Sequence, residues 1–176
     1  MKTKILILLS MLLFVVSCGT HPAQKDFEEK MKIIQSGDMS KFGKNEGNID
    51  AILEEFSKIY GEGMKKITYK VNKVESKGNT ATLNVTVKAP NLTSYMGELQ
   101  NKISEKMSKS MPQNNDELQK QIVQIGKDFF NEKFNSKDLK YSEKTIDIKY
   151  EKNDKKWVIS DDNGEFFNLI TFGLAN

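Results

Sequence analysis

The side chains able to do nucleophilic or acid–base chemistry are few. Cys18 is the only cysteine and His21 the only histidine, three positions apart near the start of a chain of 176 residues. A thiolate is a nucleophile and an imidazole moves protons near neutral pH. Any Ser-His-Asp or Cys-His arrangement would have to be built on His21. That residue lies in Gly19 to Gln24, a stretch without hydrophobic periodicity that reads as a tether. A tether does not hold a general base at hydrogen-bonding distance from a substrate. Zinc would have to be held by carboxylates alone. The nearest approach to a calcium loop is Asp161-Asp162-Asn163-Gly164-Glu165, but counting back from Gly164 gives Asn163, Asp161 and then Ile159, and the twelfth position is Ile170 instead of a glutamate. It reads as a polar turn with Glu165 in the first turn of a helix. Gly61-Glu62-Gly63-Met64 lacks the Lys-Ser or Lys-Thr of a phosphate loop and reads as a helix stop. No metal and no cofactor are expected.

The remaining chemistry is that of Cys18. Met1 to Ser17 opens with Lys2 and Lys4 and continues with an apolar run from Ile5 to Val16, broken only by Ser10. Twelve helical residues cover about 18 Å, short of a hydrocarbon core of roughly 30 Å. The segment therefore reads as a secretory leader. Val15-Val16-Ser17-Cys18-Gly19 resembles the bacterial lipobox, which implies cleavage between Ser17 and Cys18 after the sulfur has taken a diacylglyceryl group as a thioether. Two or three acyl chains, at about 0.8 kcal/mol per buried methylene, hold a protein durably on a membrane. The expected products are a signal peptide, residues 1–17, a lipidated tether, 18–24, and one domain, 25–176. The expected location is the cell membrane or outer membrane, on the extracytoplasmic side.

Composition narrows the partners. All 27 basic residues are lysine, so the planar fork that reads phosphates and guanine edges is missing. Removing Lys2 and Lys4 with the leader leaves 25 lysines against 24 acids, a net charge of +1. That balance excludes nucleic acid. Without a second cysteine the domain has no internal disulfide, and packing must stabilise it. Lys65-Lys66 and Lys155-Lys156 are interspersed with acids and read as solubilising turns, with a weak attraction to anionic headgroups as the alternative.

The elements follow from periodicity. Phe27, Met31 and Ile34 mark a helix from about Lys25, ended by Ser36-Gly37-Asp38. Asn48 caps a second whose stripe is Ile49, Ile52, Leu53, Phe56, Ile59 and Tyr60, with Gly61 and Gly63 as its exit. Ile67, Tyr69 and Val71, then Ala81, Leu83, Val85 and Val87, alternate with polar residues and form a hairpin with one wet face. Leu92, Tyr95 or Met96, Leu99, Ile103 and Met107 mark a helix that Pro112 ends, and Asp116 with Gln119 forms a capping box for another with Leu118, Ile122, Ile125, Phe129 and Phe130 inward. A second hairpin carries Ile146, Ile148 and Tyr150, then Trp157 and Ile159, before a short final helix. The fold class is α+β: an antiparallel sheet of about four strands, two hairpins, packed against amphipathic helices.

This order, with Ile67-Thr68-Tyr69-Lys70-Val71 opening the first hairpin and Lys156-Trp157-Val158-Ile159 closing the last, resembles small bacterial lipoproteins with a cystatin-like domain related to nuclear transport factor two. The resemblance covers roughly residues 25 to 172. It departs from the cone-shaped enzymes of that superfamily by placing a helical pair between the hairpins. It implies a concavity between sheet and helices where small ligands sit. Tyr60, Tyr69, Phe129, Tyr150, Trp157 and Phe166 are the candidates to line it; the same spacing also fits plain core packing. The expected function is a non-catalytic binding or assembly module for a small apolar ligand or an envelope protein, anchored to the membrane through Cys18. The alternatives are an isomerase- or hydrolase-like enzyme using a buried carboxylate, although the strand phase of Asp147 turns it to solvent, and a structural surface lipoprotein.

Overall fold

In the computed structural model, which describes residues 19–39, 49–109 and 114–174, with backbone alone for 49–55, helix α1 spans Pro22–Gln35. It starts three residues earlier than its hydrophobic spacing indicates. Pro22 supplies a preset φ at the first helical position, and the His21 Nδ1 accepts a hydrogen bond from the Ala23 amide at 3.2 Å. Residues 22–24, expected within the tether, instead form the first turn of α1, and Ala23 is fully buried. The leader, Ser17 and Cys18 lie outside the described residues, as do the expected cap Asn48 and helix stop Pro112. Ala23, Phe27, Met31 and Ile34 form the inner face of α1. Burial of each of the three larger side chains contributes about 1.5–3 kcal/mol.

Helix α2 (Ile49–Met64) runs through both glycines expected to end it. Their role is close approach: an ideal Cβ on Gly61 would lie 2.8 Å from the Gly37 carbonyl oxygen, and one on Gly63 would lie 2.4 Å from the Phe134 ring. The sheet then forms as β1 (Thr68–Lys77), β2 (Thr80–Pro90), β3 (Tyr141–Asn153) and β4 (Lys156–Ile159), in the order β1-β2-β3-β4 and antiparallel throughout. Between β2 and β3 come a 3-10 turn (Leu92–Tyr95), α3 (Met96–Lys109) and α4 (Asn115–Phe134). Asn114, not Asp116, caps α4, accepting from the Glu117 amide at 2.9 Å. Ile122 of α4, expected inward, is 37% exposed; the buried stripe starts at Ile125 and continues with Phe129, Phe130 and Phe134. Helix α5 (Gly164–Ile170) returns Phe166, Leu169 and Ile170 to the core.

Strand phase sorts the sheet into a dry and a wet face. Ala81, Leu83, Val85 and Val87 of β2 and Ile146, Ile148 and Tyr150 of β3 are buried beneath the helices. A bulge at Asn72 shifts the register of β1 between Val71 and Lys73, so that Val74 instead of Lys73 joins the core. The two hairpin turns lie at one end of the sheet, where the Lys152 amide donates to the Asn79 carbonyl at 2.7 Å. The opposite end holds Ile67, whose carbonyl accepts from Gln35 Nε2 at 2.8 Å. Helix α1 therefore runs from near the turns to the far end of β1.

Candidate functional site

The six aromatic residues do not converge on one point. Tyr60 packs with Phe130 and Phe172 in the helical layer, at ring separations of 5.4 and 6.1 Å. Phe129 is buried beside Phe130, with the ammonium groups of Lys102 and Lys133 over its ring. Tyr69 and Phe166 belong to a second group in which both contact Phe27, at 5.3 and 5.8 Å. Tyr150 is a core residue, and Trp157 is half-buried against the edge of the His21 ring, 5.1 Å between centroids. Burial raises the phenol pKa of Tyr60 and of Tyr69, the latter also through Glu28.

The Tyr150 hydroxyl is buried without a hydrogen-bond partner and is close to the carboxylate of Asp26, whose Oδ2 is likewise without one. Burial first, then the Asp26 charge and the pull of its carboxylate on the phenol proton, push the tyrosine far above its usual pKa, so it is a neutral phenol. The other Asp26 oxygen is held by Lys30 at 2.8 Å.

The surface with the most ordered polar chemistry is the wet face of the sheet. Asn72, pushed out by the bulge, donates to Asn84 Oδ1 at 3.1 Å and to Thr86 Oγ1 at 3.0 Å. Asn84 in turn donates to Asp147 at 2.7 Å, and Thr86 pairs with Thr145 at 2.8 Å. These bonds tie β1, β2 and β3 into one hydrogen-bonded ladder. Asp147 thus faces solvent, as its strand phase indicated. Beside the ladder, a groove of about 470 Å³ runs past Asn84, Asp147, Lys149, Asp162 and Glu165, and the edge of Phe166 reaches it. A second, of about 240 Å³, lies among Lys73, Glu75, Thr82, Asn84 and Asp147. Lys73–Glu75 and Lys149–Asp162 are ion pairs at the margins.

Asn163 fixes one wall of the larger groove. Its Oδ1 accepts from the Lys149 amide at 2.9 Å, and its Nδ2 donates to the Lys149 and Ser160 carbonyls at 2.9 and 2.6 Å. The side chain continues the pairing of β3 after β4 has ended. The turn expected over Asp161 to Gly164 is present, and among the described residues no group of three or more His, Cys, Asp or Glu side chains is placed to hold a metal. No helix among them is long and apolar enough to cross a membrane.

No protein-family model matches the chain, and no curated protein matches it. Among solved structures, it is similar to YcdA of Bacillus subtilis strain 168, which carries a lipoprotein designation: 20% identity, a TM-score of 0.50, and coverage of 86% of this chain. The chain spans about half, 47%, of that protein's length. At this identity the likeness speaks for the fold alone.

Proposed function

We propose that this chain is a lipid-anchored envelope lipoprotein whose α+β domain, of the cystatin-like kind, is a non-catalytic binding module for a protein partner outside the cytoplasm. The observation that carries the reading is the distance along the chain between anchor and fold. The sole cysteine stands where an apolar leader ends, and three residues later His21 is already fixed by a helix cap and the Trp157 ring. The lipoprotein designation of YcdA agrees with it. A protein partner is favoured over an apolar ligand because four of the six aromatic candidates are divided between two packed groups and Trp157 lies apart against His21, whereas the open ladder of Asn72, Asn84, Thr86, Thr145 and Asp147 offers donors and acceptors to another chain. The non-catalytic part rests on the sole histidine being engaged as a cap and on Asp147 being engaged by Asn84.

The anchor is tested by Cys18→Ala in the native host. With its leader removed, the variant should leave the membrane fraction for the soluble one. Retention on the membrane at the level of the natural protein would defeat the proposal.

A further inference from the structure

We infer that the end of the domain bearing the two hairpin turns docks on anionic lipid headgroups through Lys77, Lys152, Lys155 and Lys156. The inference rests on lipidation at Cys18 and adds the orientation of the domain and the chemistry of the surface it meets.

The first step is reach. Three residue-to-residue steps separate Cys18 from His21, and at about 3.6 Å each they keep the two Cα atoms within roughly 11 Å. His21 does not swing freely: it caps α1 and its ring meets Trp157, the neighbour of Lys156 on β4. His21 is thereby fixed beside the β3–β4 hairpin, with Gly19 and Thr20 sharing a groove with Val71 to Val74 of β1, and a lipid on Cys18 would be attached within that reach of it. Helix α1 leads away from it for 14 residues, about 21 Å, to the end where Gln35 meets Ile67. The sheet is thus tethered by the end that carries its turns.

The second step is charge. Lys152 to Lys156 and Lys77 to Thr80 form those turns, joined by the Lys152–Asn79 backbone bond. Their four lysines are exposed, and none of them is in an ion pair among the described residues. Of the nearby acids, Glu75 is engaged by Lys73, which leaves Glu151, with a long hydrogen bond from Ser160, and Asp154 against four lysines. At the far end of α1, by contrast, Lys65 lies against Gly37 and is paired with Glu62. A few lysines attract an anionic surface only weakly and only within about 8 Å at physiological salt. An acyl anchor makes the encounter intramolecular, so weak attraction suffices to orient the domain.

Trp157 is the single tryptophan and reports on this end directly. The full lipidated protein is reconstituted into vesicles of phosphatidylcholine, alone or with roughly 30% phosphatidylglycerol, and its emission is quenched by lipids brominated close to the headgroup. Quenching should be about twofold stronger in the anionic vesicles and should fall to the neutral level in roughly 1 M salt. The combined K77E, K152E, K155E and K156E variant should lose the difference, while K65E with K66E should keep it, both with unchanged far-ultraviolet dichroism. Should the charge-reversed protein misfold, the salt and lipid dependence of the natural protein decides alone. Equal quenching in the two vesicles by protein that is demonstrably lipidated overturns the docking and leaves the anchor standing. Mass spectrometry finding a free Cys18 thiol in the native protein overturns both.

Discussion

The edge of the Phe134 ring occupies the space where a side chain on Gly63 would begin, 2.4 Å from an ideal Cβ. Phe134 is fully buried, so it has nowhere to retreat. Gly63→Ala should therefore destabilise the domain by about 1–3 kcal/mol, as overpacking does. Gly126, inside α4 with nothing within 4 Å of its ideal Cβ, is the control. Gly126→Ala should stabilise by about 0.5–1 kcal/mol, because alanine loses less backbone entropy in a helix. Urea unfolding of both variants checks the pair; equal effects would refute the packing argument.

Asn163 makes three side-chain hydrogen bonds to backbone groups of Lys149 and Ser160, and it is 4% exposed. Asn163→Ala leaves the Lys149 amide and the Ser160 carbonyl unpaired, while the Lys149 carbonyl keeps the Ser160 amide at 3.0 Å, and should cost about 1–3 kcal/mol. Asn163→Asp keeps the acceptor for the Lys149 amide but loses both donations, and places a carboxylate before two carbonyl oxygens. It should be no more stable than the alanine variant. Thermal unfolding near neutral pH distinguishes these; recovery by aspartate would mean the Nδ2 bonds contribute nothing.

The sequence displays much of the fold because its elements are long and regular. Alternation in Ala81-x-Leu83-x-Val85-x-Val87 fixes the dry face of β2 without any tertiary knowledge. Three features escape such reading. The start of α1 is hidden because its cap is a histidine, a residue type that seldom signals one. Gly61 and Gly63 look like an exit because close approach by Gly37 and Phe134 is a long-range event. The wet ladder is visible only as polar residues at alternate positions, since the bulge that brings Asn72 to Asn84 leaves no mark in the spacing. The aromatic set fails to form one lining for a related reason. Periodicity tells which face of an element a ring occupies, not which other ring it meets.

Tyr150 gives the alkaline behaviour. Its pKa in the fold lies well above the ordinary value of 10.0, through burial and then the Asp26 charge. Above about pH 10 the unfolded chain has lost a proton that the native chain keeps, so stability is present below that pH and falls as pH rises, by about 1.4 kcal/mol per pH unit for this group. Burial raises Tyr60 and Tyr69 in the same direction, so a protein lacking the Tyr150 phenol keeps some slope. Tyr150→Phe should flatten the decline between about pH 10 and pH 11 by one proton. Identical slopes for the two proteins would show that the phenol is not held neutral.

His21 joins two contacts whose contributions can be separated. Its Nδ1 caps α1 and its ring meets Trp157. His21→Ala should cost about 1–2 kcal/mol, the sum of a lost cap and a lost aromatic contact. His21→Asn restores a capping acceptor without the ring and should recover roughly 1 kcal/mol of it. Trp157 emission should change equally in both variants, because the indole loses the same neighbour in each. A stability difference between alanine and asparagine with unequal tryptophan spectra would mean that the cap, and not the ring contact, positions β4 against the start of α1, and that the tether enters the fold through the helix alone.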